Sequence, residues 1–165
     1  MDKQYLLDAD LLISASRSFY AFDIASAFWC QLTEKGQGRL ILLDRVCREI
    51  YAAGDELSEW LKTNEGAFII KSSQDENVIS AYTRIITAVD QNPVYFASTK
   101  SAFAGSAESW LCAYALAYGC VIVTQEKHEP HSRNEVTIPN VCREFGLEYI
   151  NLFQLMRSLG IKFAI

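Results

Sequence analysis

The stretch Tyr5-Leu6-Leu7-Asp8-Ala9-Asp10-Leu11-Leu12 predicts the first unit of an α/β fold. Residues 5–7 form a short apolar run of the kind that becomes a buried strand, and the apolar residues 11–13 begin a helical pattern. Asp8 stands between them, where packing of an apolar run gives no reason for a charged residue. A strand, an acid and a helix therefore follow one another at the start of the chain.

Short apolar runs alternate with helical patterns along the rest of the sequence. Further strands are predicted at 40–43, 121–123 and 147–150, and residues 68–70 form a short strand or an extended connection. The alternation predicts a three-layer α/β/α fold with a central, mainly parallel sheet of four or five strands, and residues 1–165 as a single domain. The predicted helices run from Asp23 to about Gly36, from Asp44 onward, from Glu56 to about Asn64, from about Asp75 to before Asn92, from Ser106 to Tyr118, from Pro139 to about Gly146, and from Asn151 through Met156.

Several helix ends are predicted from single residues. The expected N-caps are Asp23, Asp44, Asp55 and Asn151, because their side-chain oxygens can accept the free N–H groups of a first turn. Gly119 is expected to follow the end of the helix that begins at Ser106, since glycine adopts a left-handed backbone without a steric penalty.

Composition limits the compartment and the class of protein. Half of the 165 residues are hydrophobic and 21% are charged, which is typical of a globular chain. No apolar run approaches the roughly 20 residues that cross a bilayer, and the N-terminus lacks the apolar stretch of a secretion signal. We therefore expect a cytoplasmic protein with no membrane partner. Five cysteines without a close pair favour neither a disulfide framework nor zinc, and Cys47, Cys112 and Cys120 are expected in the core.

The net charge of −5 argues against a broad phosphate-binding surface. A site built from acidic side chains would itself account for part of this charge, and bound divalent cations would cancel part of it. A partner protein could also supply basic surface. The positions of the acidic residues therefore decide whether the net charge reflects a functional site.

Five acids follow predicted strands or lie on helices next to them. Asp8 and Asp10 follow the first strand, and Glu126 follows the strand at 121–123. Glu49 lies on the helix after the second strand, and Glu108 lies in the first turn of the helix at 106–118. Each acid alone has an ordinary explanation, such as a favourable contact with a helix dipole. Because active sites of parallel sheets form beyond the carboxyl ends of the strands, the five acids together indicate a site.

Carboxylates gathered at one place need a compensating charge. Two of them about 4 Å apart repel by about 4 kcal/mol at an effective dielectric constant near 20. Hard oxygen ligands at that density suit Mg²⁺ or Mn²⁺, which can bind phosphate oxygens and activate water. The sequence therefore predicts a divalent cation site.

These motifs resemble the PIN-domain (PilT N-terminus) family, which includes the VapC-type toxins. The resemblance is carried by residues 5–12, by Val46-Cys47-Arg48-Glu49-Ile50, by residues 107–113 and by residues 121–126, each of which places an acid where that family has one. Further motifs resemble a poorly characterised PIN-like subgroup of bacteria and their mobile elements: Phe28-Trp29, Thr124-Gln125-Glu126-Lys127 and Ile138-Pro139-Asn140-Val141-Cys142.

The resemblance implies a Mg²⁺- or Mn²⁺-dependent endoribonuclease, often the toxin of a type II toxin–antitoxin pair. The metal ligands and catalytic acids that it implies are Asp8, Glu49, Glu108 and Glu126, with Asp10 either as an additional ligand or as a residue that contacts one. The implied partners are RNA, an antitoxin protein encoded by the adjacent gene, and a second copy of the chain in a homodimer. The sequence departs from the family at Ala9, at Asp10 in place of Asn, and at Glu108 and Glu126 in place of Asp.

The polar and basic residues near the acids each have more than one interpretation. Thr124 could donate a hydrogen bond to a ligand carboxylate, or could simply end its strand. Lys127, His128 and Arg133 lie next to Glu126 in sequence and could contact RNA phosphates, although a solvated loop explains them equally. The spacing of His128 and His131 lacks the further ligands that zinc needs.

Other interpretations remain open at this stage. The aromatic residues at 19, 20, 22, 28 and 29 are expected mainly in the core, with a dimer or antitoxin surface as the alternative. A phosphatase of the haloacid dehalogenase type would use Asp8 as a nucleophile, although the lysine and acidic pair of that class are not evident. A PIN-like binding module without catalysis is the third alternative.

Overall fold

The five strands of the computed structural model, which describes residues 3–164, form one fully parallel sheet in the order β3-β2-β1-β4-β5. This confirms the predicted α/β fold with a parallel central sheet flanked by helices, and the stretch around 68–70 is the fifth strand. The strands are β1 (Tyr5–Leu7), β2 (Leu40–Leu43), β3 (Ile69–Lys71), β4 (Val121–Val123) and β5 (Tyr149–Ile150).

The helices described in this range connect the strands and cover the sheet. None of those within residues 3–164 is long and apolar enough to cross a bilayer. Their bounds are α1 (Ala9–Ser14), which continues into a π-helical turn (Ala15–Phe19), α2 (Ser26–Lys35), α3 (Asp44–Ala53), α4 (Glu56–Asn64), followed by a 3-10 turn (Glu65–Ala67), α5 (Glu76–Gln91), α6 (Ala97–Ala104), α7 (Ala107–Tyr118), α8 (Ile138–Phe145) and α9 (Leu152–Leu159).

The three central strands are buried along their whole length. Every residue of β1, β2 and β4 is apolar and buried, as expected for a parallel sheet covered on both faces. Cys47, Cys112 and Cys120 lie in the core as predicted, Cys142 is buried with them, and Cys30 is exposed. Of the aromatic stretch, Phe28 and Trp29 are buried and confirm the core interpretation, whereas Phe19 is half-exposed.

Most predicted helix ends are confirmed by their hydrogen bonds. Asp55 accepts the Ser58 N–H at the start of α4, and Asn151 forms a capping box with Gln154 at the start of α9. Gly119 has a φ of 76° and ends α7 in the left-handed conformation. Local side-chain chemistry therefore sets these boundaries.

Two predicted caps are wrong. Helix α2 begins at Ser26 after Ala25 and has no side-chain cap, so Asp23 lies outside it. Asp44 is the first residue of α3, and its Oδ1 accepts the N–H groups of Arg45 at 2.8 Å and Ser73 at 3.1 Å. Asp44 therefore ties the segment after β3 to α3, a long-range role that a local pattern does not reveal.

Some element bounds also differ from prediction. Helix α6 was not predicted, because its only buried residues are Thr99 and Phe103 and it has no clear apolar stripe. Strand β5 covers only residues 149–150, and α9 extends to Leu159 rather than stopping at Met156. Helix α8 begins at Ile138 with Thr137 as its cap.

The order of the strands places a crevice between β1 and β4. The chain runs outward from β1 to β2 and β3, and then crosses to the other side of β1 for β4 and β5. In open parallel sheets, ligands bind beyond the carboxyl ends of the strands at such a reversal. Asp8 follows β1 at this point.

Candidate metal centre

Three carboxylates meet at the carboxyl end of β1. One oxygen atom from each of Asp8, Asp10 and Glu108 lies within 4.8 Å of the other two, and no other group of three metal-ligating side chains in residues 3–164 is as close. Asp8 is buried, Glu108 is half-buried and Asp10 is exposed. The group, which we call the acid cluster, therefore opens from the protein interior to its surface.

The sheet and two helix starts fix these residues. The backbone N–H of Asp8 donates to the Val123 carbonyl at 3.1 Å, so the pairing of β1 with β4 sets its position. Asp10 lies in the first turn of α1, and Glu108 lies in the first turn of α7, where the Ser106 side chain caps the helix. Acids in first turns are also favoured by the helix dipole.

Thr124 links Asp8 to Glu126. Its hydroxyl donates to Asp8 Oδ2 at 2.9 Å and accepts the backbone N–H of Glu126 at 3.1 Å. The threonine is itself buried, so both bonds lie away from bulk water. The predicted hydrogen bond from Thr124 to an acid is present, and it holds two of the candidate site residues at once.

Only one oxygen of the Glu126 carboxylate has a hydrogen-bond partner within residues 3–164. Its Oε1 accepts the Ile138 N–H at 3.4 Å, whereas its Oε2 is buried and has no hydrogen-bond partner in the described part of the chain. Burial, followed by the charge of Asp8, raises the pKa of Glu126 to about 8. A buried carboxylate oxygen in this state needs a proton or a cation, and hard oxygen donors fit Mg²⁺ or Mn²⁺.

The other acids affect one another in the same way. Burial raises the pKa of Asp8 to about 7, and the charges of Glu108 and Asp10 add to this while the Thr124 bond opposes it. Burial, then Glu108 and Asp10, also raises the pKa of Glu49, which faces the cluster from α3. The charges of Asp10 and Glu108 therefore act on both Asp8 and Glu49, although Glu49 and Glu126 lie outside the tight group of three.

No basic side chain neutralises these acids: within residues 3–164, none of the five forms an ion pair. Arg45, one turn before Glu49, lies over the Trp110 ring at 4.3 Å, and its Nε donates to Ser73 at 2.9 Å. The guanidinium is thus held away from an ion pair with Glu49. The negative charge of the centre stays available to a cation.

A cleft of about 230 Å³ opens over the centre. It is lined by Asp10, Glu108 and Glu126, by Thr99 of α6 and by the loop at 134–136. The Thr99 hydroxyl donates to the Arg133 carbonyl at 2.8 Å and so holds this loop against α6. The contribution of α6 could not be predicted from the sequence, because that helix has no amphipathic pattern and no local signal identifies Thr99.

The basic residues predicted near Glu126 separate in the structure. Lys127 and His128 line a second cleft of about 420 Å³, which shares Glu126 with the first. Arg133 lies over the Phe96 ring, donates to the Val94 carbonyl and lines another depression together with His131. Arg133 therefore does not line the cleft over the acids, and the two histidines do not share a cleft.

The fold and these acids define a class of protein: a parallel α/β protein with a carboxylate cluster at the reversal of its strand order. The chain belongs to the family described as domain of unknown function DUF4411, whose profile matches residues 5–163. No curated protein matches the sequence at a significant level.

A solved structure shares the fold. It is described as the crystal structure of VapBC2 from Rickettsia felis bound to a DNA fragment from their promoter. The match has a TM-score of 0.58 and 13% sequence identity, and covers 89% of this chain and 97% of that chain. At this identity the similarity concerns the fold, and it supports the PIN-like fold that the sequence motifs predict. It does not test the subgroup.

Proposed function

We propose that this protein is a Mg²⁺- or Mn²⁺-dependent endoribonuclease and the toxin of a toxin–antitoxin pair. The observation that carries the proposal is the acid cluster at the strand reversal, with the partnerless buried oxygen of Glu126 beside it. Such a set of oxygens is stable when ionised only if cations compensate it. The fold shared with a VapBC2 structure supports the toxin assignment and the expectation of an antitoxin partner.

The chain would hold the cation through Asp8, Asp10 and Glu108, with Glu126 and Glu49 at its sides. A divalent cation bound there supplies an activated water and balances the charge of the phosphate. Thr124 orients Asp8 and the backbone of Glu126, which keeps two carboxylates in place without a basic residue. The loop at 134–136, held by Thr99, closes one side of the cleft in which an RNA phosphate would lie.

The first test is Asp8→Asn, which keeps an oxygen acceptor for Thr124 and removes the charge. We expect this variant to lose both Mn²⁺ binding, measured by calorimetry, and cleavage of single-stranded RNA, while its circular dichroism stays that of the wild type. Asp23→Asn, the same change at an exposed residue outside the site, is the matched control and should bind and cleave normally. Full RNA cleavage by Asp8→Asn would rule out the proposed centre.

Metal binding and the trapping of a phosphorylated intermediate separate the alternatives. A wild-type protein that binds neither Mg²⁺ nor Mn²⁺ would favour a PIN-like binding module without catalysis. A trapped phosphoaspartate at Asp8 would favour the phosphatase alternative; the 2% exposure of Asp8 and its bond to Thr124 disfavour a nucleophile there.

For the toxin assignment, expression of the wild type should arrest growth, Asp8→Asn should not, and co-expression of the adjacent gene should restore growth.

A further inference from the structure

A second cleft adjoins the acid cluster, at the carboxyl ends of β4 and β5. This β5 cleft has a volume of about 420 Å³, within the range of small-molecule sites. It shares Glu126 with the cleft over the acids, so a ligand could extend from one to the other. Its lining includes Gln125, Glu126, Lys127, Arg143, Tyr149 and Phe153.

Two aromatic residues line the β5 cleft, Tyr149 at the edge of the core and Phe153 outside it. Phe153 is 49% exposed, whereas Leu152, Leu155 and Met156 of the same helix are buried. Tyr149 is half-buried, and its hydroxyl accepts the Nε–H of Arg143 at 3.2 Å. An exposed phenylalanine and a half-buried tyrosine that line one cleft suit stacking of an unpaired base.

The same cleft holds positive charge that the protein leaves uncompensated. Neither Lys127 nor Arg143 forms an ion pair with a carboxylate of residues 3–164. Arg143 uses only its Nε toward Tyr149, which leaves its terminal N–H groups for a further acceptor. The two cations can contact a phosphate, and the aromatic rings of the same cleft can stack on a base, so the cleft suits both parts of a nucleotide.

Gln125 adds a polar group of fixed direction. Its Oε1 accepts the Leu152 N–H at 3.1 Å, so the oxygen is used and the amide N–H groups remain as donors. Donors at this position can reach an acceptor on the edge of a base. The cleft thus contains a partner for each part of a nucleotide.

We propose that the β5 cleft binds one unpaired nucleotide of single-stranded RNA, next to the phosphate that enters the acid cluster. The base stacks on Phe153 and Tyr149, its phosphate contacts Lys127 and Arg143, and Gln125 donates to the edge of the base. The identity of the ligand as RNA rests on the proposed function. Because the two clefts share Glu126, a nucleotide in the β5 cleft would lie next to the phosphodiester bond held at the acid cluster.

Binding without cleavage tests this subsite. We would measure fluorescence anisotropy of a short, unstructured, labelled single-stranded RNA with the full chain in EDTA. Phe153→Ala should weaken binding by about tenfold, since one base–aromatic stack is lost. Phe153→Tyr should retain the affinity. Phe163→Ala is the matched control, because Phe163 is 55% exposed and lies outside the cleft.

Arg143→Ala tests the phosphate contact. Its binding should weaken several-fold, and the slope of log affinity against log salt should fall by about 0.7, the value for one phosphate contact on a single strand. Arg84→Ala removes the same charge from a different cleft and should leave both quantities unchanged. A duplex of the same sequence should bind more weakly than the single strand, because its bases are not free to stack on a protein ring.

Several outcomes would overturn the subsite. These are no binding by the wild type, equal affinity of Phe153→Ala and Phe163→Ala, or equal affinity for duplex and single strand. Loss of a partner protein by Phe153→Ala without loss of RNA would assign the cleft to a protein interface instead. RNA binding that depends on Phe153, in a protein that never cleaves with Mg²⁺ or Mn²⁺, would support the subsite and contradict the proposed nuclease.

Discussion

At the scale of single residues, Thr124 has the largest local effect on the candidate centre. Its hydroxyl bonds both Asp8 and the N–H of Glu126 in a buried position. We expect Thr124→Val to lower the free energy of unfolding by about 1–3 kcal/mol, because it leaves a buried acceptor and a buried donor without partners. It should also weaken Mn²⁺ binding, since Asp8 loses its orientation. Urea unfolding and Mn²⁺ titration measure the two effects.

Thr124→Ser is the control for that change, because serine keeps the hydroxyl. It should restore most of the stability and most of the Mn²⁺ affinity. Wild-type stability and affinity in Thr124→Val would show that the hydroxyl holds neither carboxylate.

The two raised carboxyl pKa values predict a pH dependence of stability in the absence of metal. The ordinary values are 3.8 for Asp8 and 4.5 for Glu126, and the folded values are about 7 and about 8. Between these limits Asp8 and Glu126 bind more protons in the folded state than in the unfolded state, so their contribution to the free energy of unfolding falls as pH rises. Urea unfolding in EDTA should show this decrease from about pH 5 to about pH 8.

Asp8→Asn separates this effect from the rest of the protein. The variant cannot ionise at position 8, so its stability should decrease less steeply with pH and exceed that of the wild type at the alkaline end. Asp23→Asn should keep the wild-type slope. Parallel pH profiles for Asp8→Asn and the wild type would contradict the assignment of the raised pKa to Asp8.

The sequence could identify the five acids but not which three of them lie close enough together to form the acid cluster. All five candidate acids could be predicted because strand ends and helix starts are local features. The tight group of Asp8, Asp10 and Glu108, with Glu49 and Glu126 at its sides, depends on how α3 and α7 pack on the sheet. The long side chain of Glu108 reaches the cluster from the first turn of α7. Arg45, a natural partner for Glu49 by spacing, is held by Trp110 and Ser73 instead.

At the scale of elements, the connection between α2 and β2 contains a glycine, Gly36, at a position without room for a side chain. A Cβ at Gly36 would lie 2.5 Å from the Leu32 carbonyl oxygen and would also overlap the side chain of Leu40. Because one of these neighbours is backbone, the clash cannot be relieved by a rotamer change. We expect Gly36→Ala to lower the free energy of unfolding by about 1–3 kcal/mol, measured by urea unfolding.

Gly66 offers a matched control. A Cβ there would have no atom within 4 Å, and its backbone does not require glycine. Gly66→Ala should therefore leave stability unchanged or raise it slightly. Equal losses for the two substitutions would show that the cost comes from glycine removal in general and not from the close approach at Gly36.

The elements that could be predicted are those with a pattern of their own. Buried strands such as β2 and β4 are continuous apolar runs, and α5 has a clear apolar stripe. Helix α6 has neither, and the loop at 134–136 gains its position from Thr99 in that helix. Part of the cleft wall therefore could not be predicted, because it is specified by contacts between segments far apart in sequence.

At the scale of the whole molecule, the negative charge is concentrated at the candidate centre. Five of the twenty acidic residues face it, which leaves fifteen acidic residues against fifteen lysines and arginines elsewhere. The net charge of −5 therefore does not require an acidic surface outside the centre, and the objection that it raised against RNA binding becomes weaker.

Metal binding should stabilise the whole fold. A ligand at about 100 times its Kd adds about 2.7 kcal/mol, which for a chain of this size raises Tm by about 5–10 °C. We expect Mn²⁺ to produce such a rise in thermal unfolding near neutral pH, and EDTA to reverse it. Asp8→Asn should show no shift, while Asp23→Asn should shift like the wild type. A rise of the same size in Asp8→Asn would place the ion elsewhere.

The raised pKa values of Asp8 and Glu126 have a consequence for calorimetry. A cation that binds at these carboxyl groups displaces the protons that they carry at the pH of the titration, and the surrounding buffer takes those protons up. The measured heat then contains the ionisation enthalpy of the buffer, so titrations at one pH in PIPES and in Tris should give different apparent enthalpies for one and the same binding event. The slope of that difference counts the protons released, and it reports the charge state of the empty centre without any RNA present.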